Sequence, residues 1–388
     1  MSSDNDLREE FLRASEARIG GIRAALAARN LDACYVRDLP TIQWASAFID
    51  VFDEEPAHAL FITPDRAVLH SDSRYASALE AAARGGIIEI ASEPLTHVQW
   101  LAGQLKDALS SSPVRLAVED TLTLREFRGL EEALQGHSVV PDLAVERDLV
   151  SGLRAVKDDL EIALMRKAQS ITDAAFAAIV SFIEPGMSEV QVQRALDALM
   201  FEHGAQGLAF PTIVAAGAHG ASPHAIPGDR VIEAGDAVVM DFGARYGGYC
   251  SDMTRTVFMG EPTEKMRRAW NAIRQANETC EAALRAGKTG AEIHRLAEDI
   301  LAQRGFAKKM GHGLGHSLGI SIHEDPSLSP RNTEPLPVGA VLTVEPGIYL
   351  PGEFGMRLED FGLVTETGYE VITQSSHDMV IIERHHIE

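Results

Sequence analysis

Two apolar runs, Ala-Val-Val-Met-Asp (237–241) and Val-Leu-Thr-Val-Glu (341–345), each end on an acid and each continue through a turn to a second acid. Asp252 follows Asp241 after Gly247–Gly248, and Glu359 follows Glu345 after Pro351–Gly352. Short apolar runs closed by turn residues predict strands, and a return past glycine predicts a hairpin. Residues opposite one another in a hairpin are equidistant from its centre. That places the first turn near residues 246–247 and the second on Gly352. Facing Cβ atoms lie about 4.5–5.5 Å apart, so each hairpin brings two carboxylates together. Four acids so placed repel one another unless cations lie between them. A pair of divalent metals, typically about 3.5–4 Å apart, answers that repulsion.

The surrounding sequence repeats as well. At an offset of 101 residues, Met165-Arg166-x-Ala168 matches Met266-Arg267-x-Ala269, Gly186 matches Gly287, Ser188 matches Thr289, and Gly204 matches Gly305. At an offset of 104, Gly235 matches Gly339, Asp241 matches Glu345 and Gly243 matches Gly347; Asp252 matches Glu359 at 107. Each half reads as a long helix, a glycine turn, a Ser or Thr suited to an N-cap, a second helix ending at glycine, and then strands. A duplicated α+β unit with its acids meeting on a pseudo-twofold axis is expected.

In front of it lies a different pattern. Residues 7–29 predict a helix, 32–37 a strand, 57–63 and 66–70 a hairpin, and 74–84 a helix. A strand at 87–91, a helix at 95–109, a strand at 115–118 and a helix at 123–134 complete a small α/β domain. Residues 141–157 read as a linker into a helix at 157–182. With 388 residues there is length for two cores, and the expected domains are 1–150 and 151–388.

A formal net charge of −22 argues against nucleic acid or an anionic membrane as partner. Cys34, Cys250 and Cys280 are far apart and odd in number, which suggests a reducing compartment. Cys250, close to Asp252, reads as a small buried hydrophobe. The polar N-terminus MSSDNDLREE lacks a signal peptide's apolar core, and no apolar run reaches a membrane span. A cytoplasmic location is expected.

Carboxylate-rich sites with one imidazole suit hard or borderline ions: Mn²⁺, Fe²⁺, Co²⁺ or Zn²⁺. The imidazole is expected from Gly311-His312-Gly313-Leu314-Gly315-His316-Ser317-Leu318-Gly319. His312 and His316 have the spacing of a helical metal pair, but four glycines in nine residues disfavour a helix there. A loop holding one ligand and one histidine near the substrate fits better. His224 and His323 lie outside the acid motifs, and Arg357, two residues before Glu359, shares its strand face and is placed to steady the carboxylates.

Five stretches carry a resemblance: Met240-Asp241-Phe242-Gly243, Gly248-Tyr249-Cys250-Ser251-Asp252-Met253-Thr254-Arg255, the His312–Gly319 loop, Thr343-Val344-Glu345-Pro346-Gly347-Ile348-Tyr349, and Arg357-Leu358-Glu359-Asp360. Their order and content resemble the pita-bread metallopeptidases, the group of Xaa-Pro aminopeptidases, prolidases, methionine aminopeptidases and creatinase. The leading α/β domain resembles that of the Xaa-Pro peptidases and creatinase. The resemblance implies two divalent metals, Mn²⁺ first among them. Asp241 and Asp252 would hold one ion, Asp252 and Glu359 would bridge, and His316 and Glu345 would complete the other. Water between the ions would attack the carbonyl of an Xaa-Pro bond, with Glu345 moving its proton to the proline nitrogen. His224 and His323 would hydrogen-bond the substrate, His312 would line the proline side, and a homodimer is implied.

Other readings remain open on the same residues. One is a non-peptide amide or amidine hydrolase of the creatinase or ectoine-hydrolase type; another is a catalytically dead recognition module like that of certain histone chaperones. The full set of five ligands argues against creatinase chemistry and against a dead module. An aminopeptidase reading precedes a dipeptidase reading. The latter needs a cation for the product carboxylate, for which Arg331 is a candidate. Trp44 of the leading domain is a candidate for bordering a partner subunit's site.

Overall fold

The duplication is written into the helix caps. Asp158, Ser188 and Thr289 each open a helix with a reciprocal capping box, their side chains accepting from the third helical amide while Glu161, Gln191 and Glu292 reach back. Each cap satisfies amides that have no partner within the helix. The helices so started are Asp159–Ile179, Glu189–Glu202 and Gly290–Gln303, and Thr263 caps Glu264–Ala283. The turn between the paired helices is tied to a following loop in the same way in both halves: Gly186 N–H donates to the Ile232 carbonyl and Gly287 N–H to that of Leu336, both at 2.9 Å.

The computed structural model describes residues 4–53, 55–108, 114–135 and 142–383. The chain divides into two compact units, Met1–Arg154 and Ala155–Glu388. In the C-terminal unit, the helix pair Asp159–Ile179 and Glu189–Glu202 covers a sheet whose strand order is Val380–Ile382, Met253–Met259, Ala237–Phe242, Ile213–Ala216. The pair Glu264–Ala283 and Gly290–Gln303 covers a second sheet ordered Glu324–Leu328, Gly315–Ser317, Val341–Val344, Asp360–Val364, Tyr369–Val371. Each half has its own apolar core. Ile171, Ile179, Val192, Leu196, Val238, Met240 and Phe242 belong to the first. Trp270, Ile273, Ile293, Leu301, Leu342, Val344 and Ile348 belong to the second.

The second hairpin has the expected register. Gly347 faces Arg357 and Ile348 faces Met356, a ladder centred on Gly352, and the same register continues into Val344 facing Asp360. The centre of the first hairpin lies one residue further along than expected, which moves its pairing by two. Asp241 faces Thr254, not Asp252, and Tyr246 faces Tyr249. The reason is the turn: Gly247 and Gly248 both have positive φ (57° and 82°) and together form the two-residue connection. Asp252 is therefore a diagonal neighbour of Asp241, two residues from its partner and on the same face.

The N-terminal unit is a six-stranded mixed sheet ordered Glu89–Ala91, Ala67–Ser71, His58–Ile62, Ala33–Val36, Arg115–Glu119, Asp142–Glu146. Its helices are Asp4–Ala28, Leu39–Ser46, Ala76–Ala83, His97–Ala108, Leu124–Leu134 and Ser151–Arg154. The expected elements are present; the end of the fourth, at residue 109, lies outside the described residues. Two features differ. Leu39–Ser46 is a helix, started by the Asp38 carboxylate accepting from Thr41 N–H at 3.0 Å. Asp142–Glu146, expected as linker, is an edge strand parallel to Arg115–Glu119. Among the described residues no helix is long and apolar enough to cross a membrane.

Gly315 allows a close approach that the site needs. A Cβ at this position would collide with the Thr343 carbonyl on the neighbouring strand. Gly315→Ala is expected to push those strands apart and destabilise the unit by about 1–3 kcal/mol. Denaturant unfolding of the two proteins measures this, and equal midpoints would contradict it.

Candidate metal centre

The two hairpins bring Asp241, Asp252, Glu345 and Glu359 to one place, and the Gly315–Ser317 strand adds His316. His316 Nε2 lies 3.5 Å from Asp252 Oδ2 and 3.5 Å from Glu345 Oε1. Donor atoms of Asp252, His316 and Glu359 all lie within 4.8 Å of one another. His316 Nδ1 is 3.1 Å from the Ser317 carbonyl, which can only accept, so the proton sits on Nδ1 and Nε2 presents its lone pair to the acids.

Two threonines set the carboxylate rotamers. Thr254 Oγ1 donates to Glu359 Oε2 at 2.6 Å and accepts from Arg357 Nε at 2.8 Å. Thr343 Oγ1 donates to Glu345 Oε1 at 3.2 Å and accepts from His316 N–H at 3.0 Å. Each threonine stands two residues along a strand from an acid, so both share that acid's face. Arg357 pairs with Asp241 and donates from Nη1 to the Tyr349 hydroxyl at 2.8 Å. Tyr349 in turn donates to His312 Nε2 at 3.1 Å, because His312 Nδ1 is committed to the Gly313 carbonyl at 2.7 Å. The alternation of strand faces gives the threonines away in the sequence; Tyr349 carries no such signal, because its partners lie on another strand and in a loop.

Charge is out of balance here. One guanidinium, Arg357, stands among four carboxylates, and burial pushes all four acids upward in pKa. For Asp252 the charges of Glu359, Asp241 and Glu345 add to burial. For Glu359 those of Glu345 and Asp241 do so. Glu345 is pushed from 4.5 to about 8 by burial and by Asp241, against the pull of Arg357. Burial and His323 hold His316 down, at about 4, so its imidazole is neutral. Asp241 Oδ1 is buried without a hydrogen-bond partner. Neutral imidazole, crowded carboxylates and an orphaned oxygen are what divalent cations require of their donors. A second group, Glu281, Asp360 and His377, also has donor atoms within 4.8 Å of one another. There the Arg255 guanidinium lies 2.7 Å from Asp360 and supplies the positive charge.

The acids open onto a cavity of about 730 Å³. Its wall includes His224, His312, His316, His323, Arg357 and all four acids, with Phe210, Ile213, Pro223, Ile226 and Ile322 as apolar surface. The His323 ring packs edge-on to that of His316, with centroids 4.4 Å apart. Asp241, Asp252, Glu345, Glu359, His224, His312, His316, His323 and Arg357 thus all line this cavity. Arg331 is exposed and does not line the cavity, although Ser329 does. Trp44 does not present itself at a surface: it is 5 % exposed, with the Arg18 guanidinium 5.4 Å from its ring. Cys250 is buried, its thiol 3.4 Å from the Ile320 carbonyl and pushed up to about 11 by burial.

Buried hard donors on one side and an open cavity on the other define a class, the divalent-metal hydrolases. The family follows from comparison: residues 163–366 match the model of metallopeptidase family M24 and residues 18–156 that of the creatinase/prolidase N-terminal domain, and the chain belongs to this family. It is 35 % identical over 323 residues to an uncharacterized peptidase, YqhT, of Bacillus subtilis, covering 83 % of this chain and 89 % of that protein. Among solved structures it is similar to an Xaa-Pro dipeptidase from Bacillus anthracis, with 36 % identity, a TM-score of 0.87, and 95 % and 99 % of the two chains covered. An X-Pro aminopeptidase from Thermotoga maritima is also similar, with 32 % identity, a TM-score of 0.81, and coverage of 91 % and 98 %.

The raised acid pKa values have a consequence for stability. A carboxyl such as Glu345, at about 8 folded against 4.5 as its ordinary value, favours the folded metal-free protein only while it is protonated. Metal-free protein is therefore expected to lose stability as pH rises from about 5 to 8, and added divalent metal to restore it. Thermal melts of chelator-treated protein across that range check this; a metal-free melting temperature that rises toward pH 8 would contradict it.

Proposed function

We propose that this enzyme hydrolyses the peptide bond that precedes proline in short peptides. The observation that carries this reading is the joining of four acids and His316 to a cavity walled by three further histidines and apolar side chains. Asp241 and Asp252 would hold one ion and His316 and Glu345 the other, with Asp252 and Glu359 available to both, Mn²⁺ being the first to test. When bound, such ions supply Lewis acidity toward a carbonyl oxygen and make water nucleophilic near neutral pH.

The chain's own residues do the rest. Glu345 accepts the proton of the water that adds to the carbonyl carbon, then delivers it to the proline nitrogen as the C–N bond breaks. His323 and His224, both on the cavity wall, donate hydrogen bonds to the carbonyl oxygen as charge develops on it. Arg357 neutralises and orients Asp241, and through Tyr349 it fixes the ring of His312 beside the proline. Pro223, Ile226 and Ile322 give that ring an apolar wall.

Release of the N-terminal residue from longer peptides is the preferred activity. Among the described residues lining the cavity the only Lys or Arg is Arg357, and it is already engaged by Asp241, Tyr349 and Thr254. A dipeptidase needs a cation for the free carboxylate of its product. The similarity to a Bacillus anthracis Xaa-Pro dipeptidase, and the exposed Arg331 two residues from the lining Ser329, support the second reading. Hydrolysis of Xaa-Pro and Xaa-Pro-Yaa peptides with Mn²⁺ separates the two; intact tripeptide would select the dipeptidase, and no cleavage of either would remove the proposal.

Glu345→Gln is expected to keep its metal and lose about 10²–10⁴ in kcat, measured by metal analysis beside steady-state rates. Near-normal turnover would remove Glu345 as proton carrier. His323→Ala is expected to lose about 10²–10³ in kcat with metal content intact; loss of metal instead would place this histidine among the ligands.

A further inference from the structure

One fully buried carboxylate outside the metal centre closes the loop that carries His224. Glu189, the first residue of the helix Glu189–Glu202, has a side chain 0 % exposed. Its Oε1 accepts from Ala216 N–H at 2.9 Å and its Oε2 from Gly228 N–H at 3.3 Å. His219 Nδ1 lies 2.9 Å from Oε1 and 2.8 Å from Oε2, and Arg230 Nε lies 3.8 Å from Oε1. Ala216 and Gly228 are the two ends of one loop. Between them lie Pro223, His224, Ile226 and Pro227, which line the cavity.

The other half has no carboxylate at the corresponding place. Gly290 stands where the repeat would place Glu189, and a Cβ there would collide with the Ser327 carbonyl. Asn332 takes over: its Nδ2 donates to the Ser327 carbonyl at 2.7 Å and its own carbonyl accepts from Ala291 N–H at 2.9 Å. These bonds hold the turn that follows the strand Glu324–Leu328; His323 precedes that strand and lies outside the segment so held.

We propose that Glu189 is a positioning residue for His224: by clamping both ends of the 216–228 loop it sets the place of that imidazole and of the apolar wall beside it. This rests on the function proposed above. A carboxylate suits the task because it accepts at both oxygens. In Glu189→Gln one oxygen becomes an NH₂ donor that confronts a backbone N–H or the His219 ring, so one end of the loop is released while size is kept.

The test is a double-mutant cycle on an Xaa-Pro peptide, with amide hydrogen exchange on the same metal-loaded proteins. Glu189→Gln is expected to lower kcat/KM about ten-fold, since misplacement by a fraction of an ångström costs on that order, with metal content unchanged. In a His224→Ala background the same change is expected to have an effect of less than about two-fold, because its route is already gone. Exchange is expected to rise across 216–228 and not in the helix Asp159–Ile179. Equal losses in both backgrounds, or unchanged exchange in the loop, would overturn the proposal. Should the unmodified enzyme cleave no Xaa-Pro peptide, the functional reading falls, and the exchange data alone decide whether Glu189 holds the loop.

Discussion

Repulsion among four buried carboxylates is the constraint around which the C-terminal unit is arranged. Bringing such groups out of water and within reach of one another is unfavourable, and the protein meets only part of the charge with Arg357. The remainder is left for cations. Several otherwise separate details serve that end: the tautomer of His316, fixed by a backbone carbonyl; the threonine hydroxyls, which aim one oxygen each of Glu359 and Glu345; and the orphaned Asp241 Oδ1. Behind the centre, Arg255 answers Asp360 with a guanidinium, and His377 lies 2.6 Å from its other oxygen. Two neighbouring acid clusters thus differ in who supplies the positive charge, the protein in one and the solution in the other.

The duplication supplies scaffold, and divergence supplies chemistry. Caps, paired helices and strand order recur in both halves, yet the halves contribute unequal donors. The first gives two aspartates; the second gives two glutamates and the only imidazole among the donors. A glutamate reaches one carbon further than an aspartate, so equivalent strands need not stand equally far from the point where the carboxylates converge. The loop anchors differ likewise, Glu189 in one half and the Gly290–Asn332 pair in the other.

Much of this was legible in the sequence because it is periodic. The second hairpin's register followed from Glu345, Glu359 and the glycine midway between them. The first was off by two because its turn uses both Gly247 and Gly248, and a symmetric reading of the acids could not show that Thr254 rather than Asp252 faces Asp241. Same-face placement survived, since the true offset is two. The Leu39–Ser46 helix escaped notice because eight residues are too few for a helical period to emerge. The Asp142–Glu146 strand is a short, half-covered edge whose partner comes from distant sequence. Tyr349 and Glu189 act through groups dozens of positions away or on other strands, a kind of partnership that spacing does not encode.

The stitch between the halves bears on how peptides get in and out. Glu359 N–H donates to the Thr254 carbonyl at 3.1 Å, the Thr256 hydroxyl donates to the Arg357 carbonyl at 3.0 Å, and Thr254 holds the Glu359 side chain. Strands from both halves are sewn together at the very residues that carry the donors. A clamshell motion between halves would tear the centre apart with every cycle. Peptide entry and exit must therefore leave this seam intact.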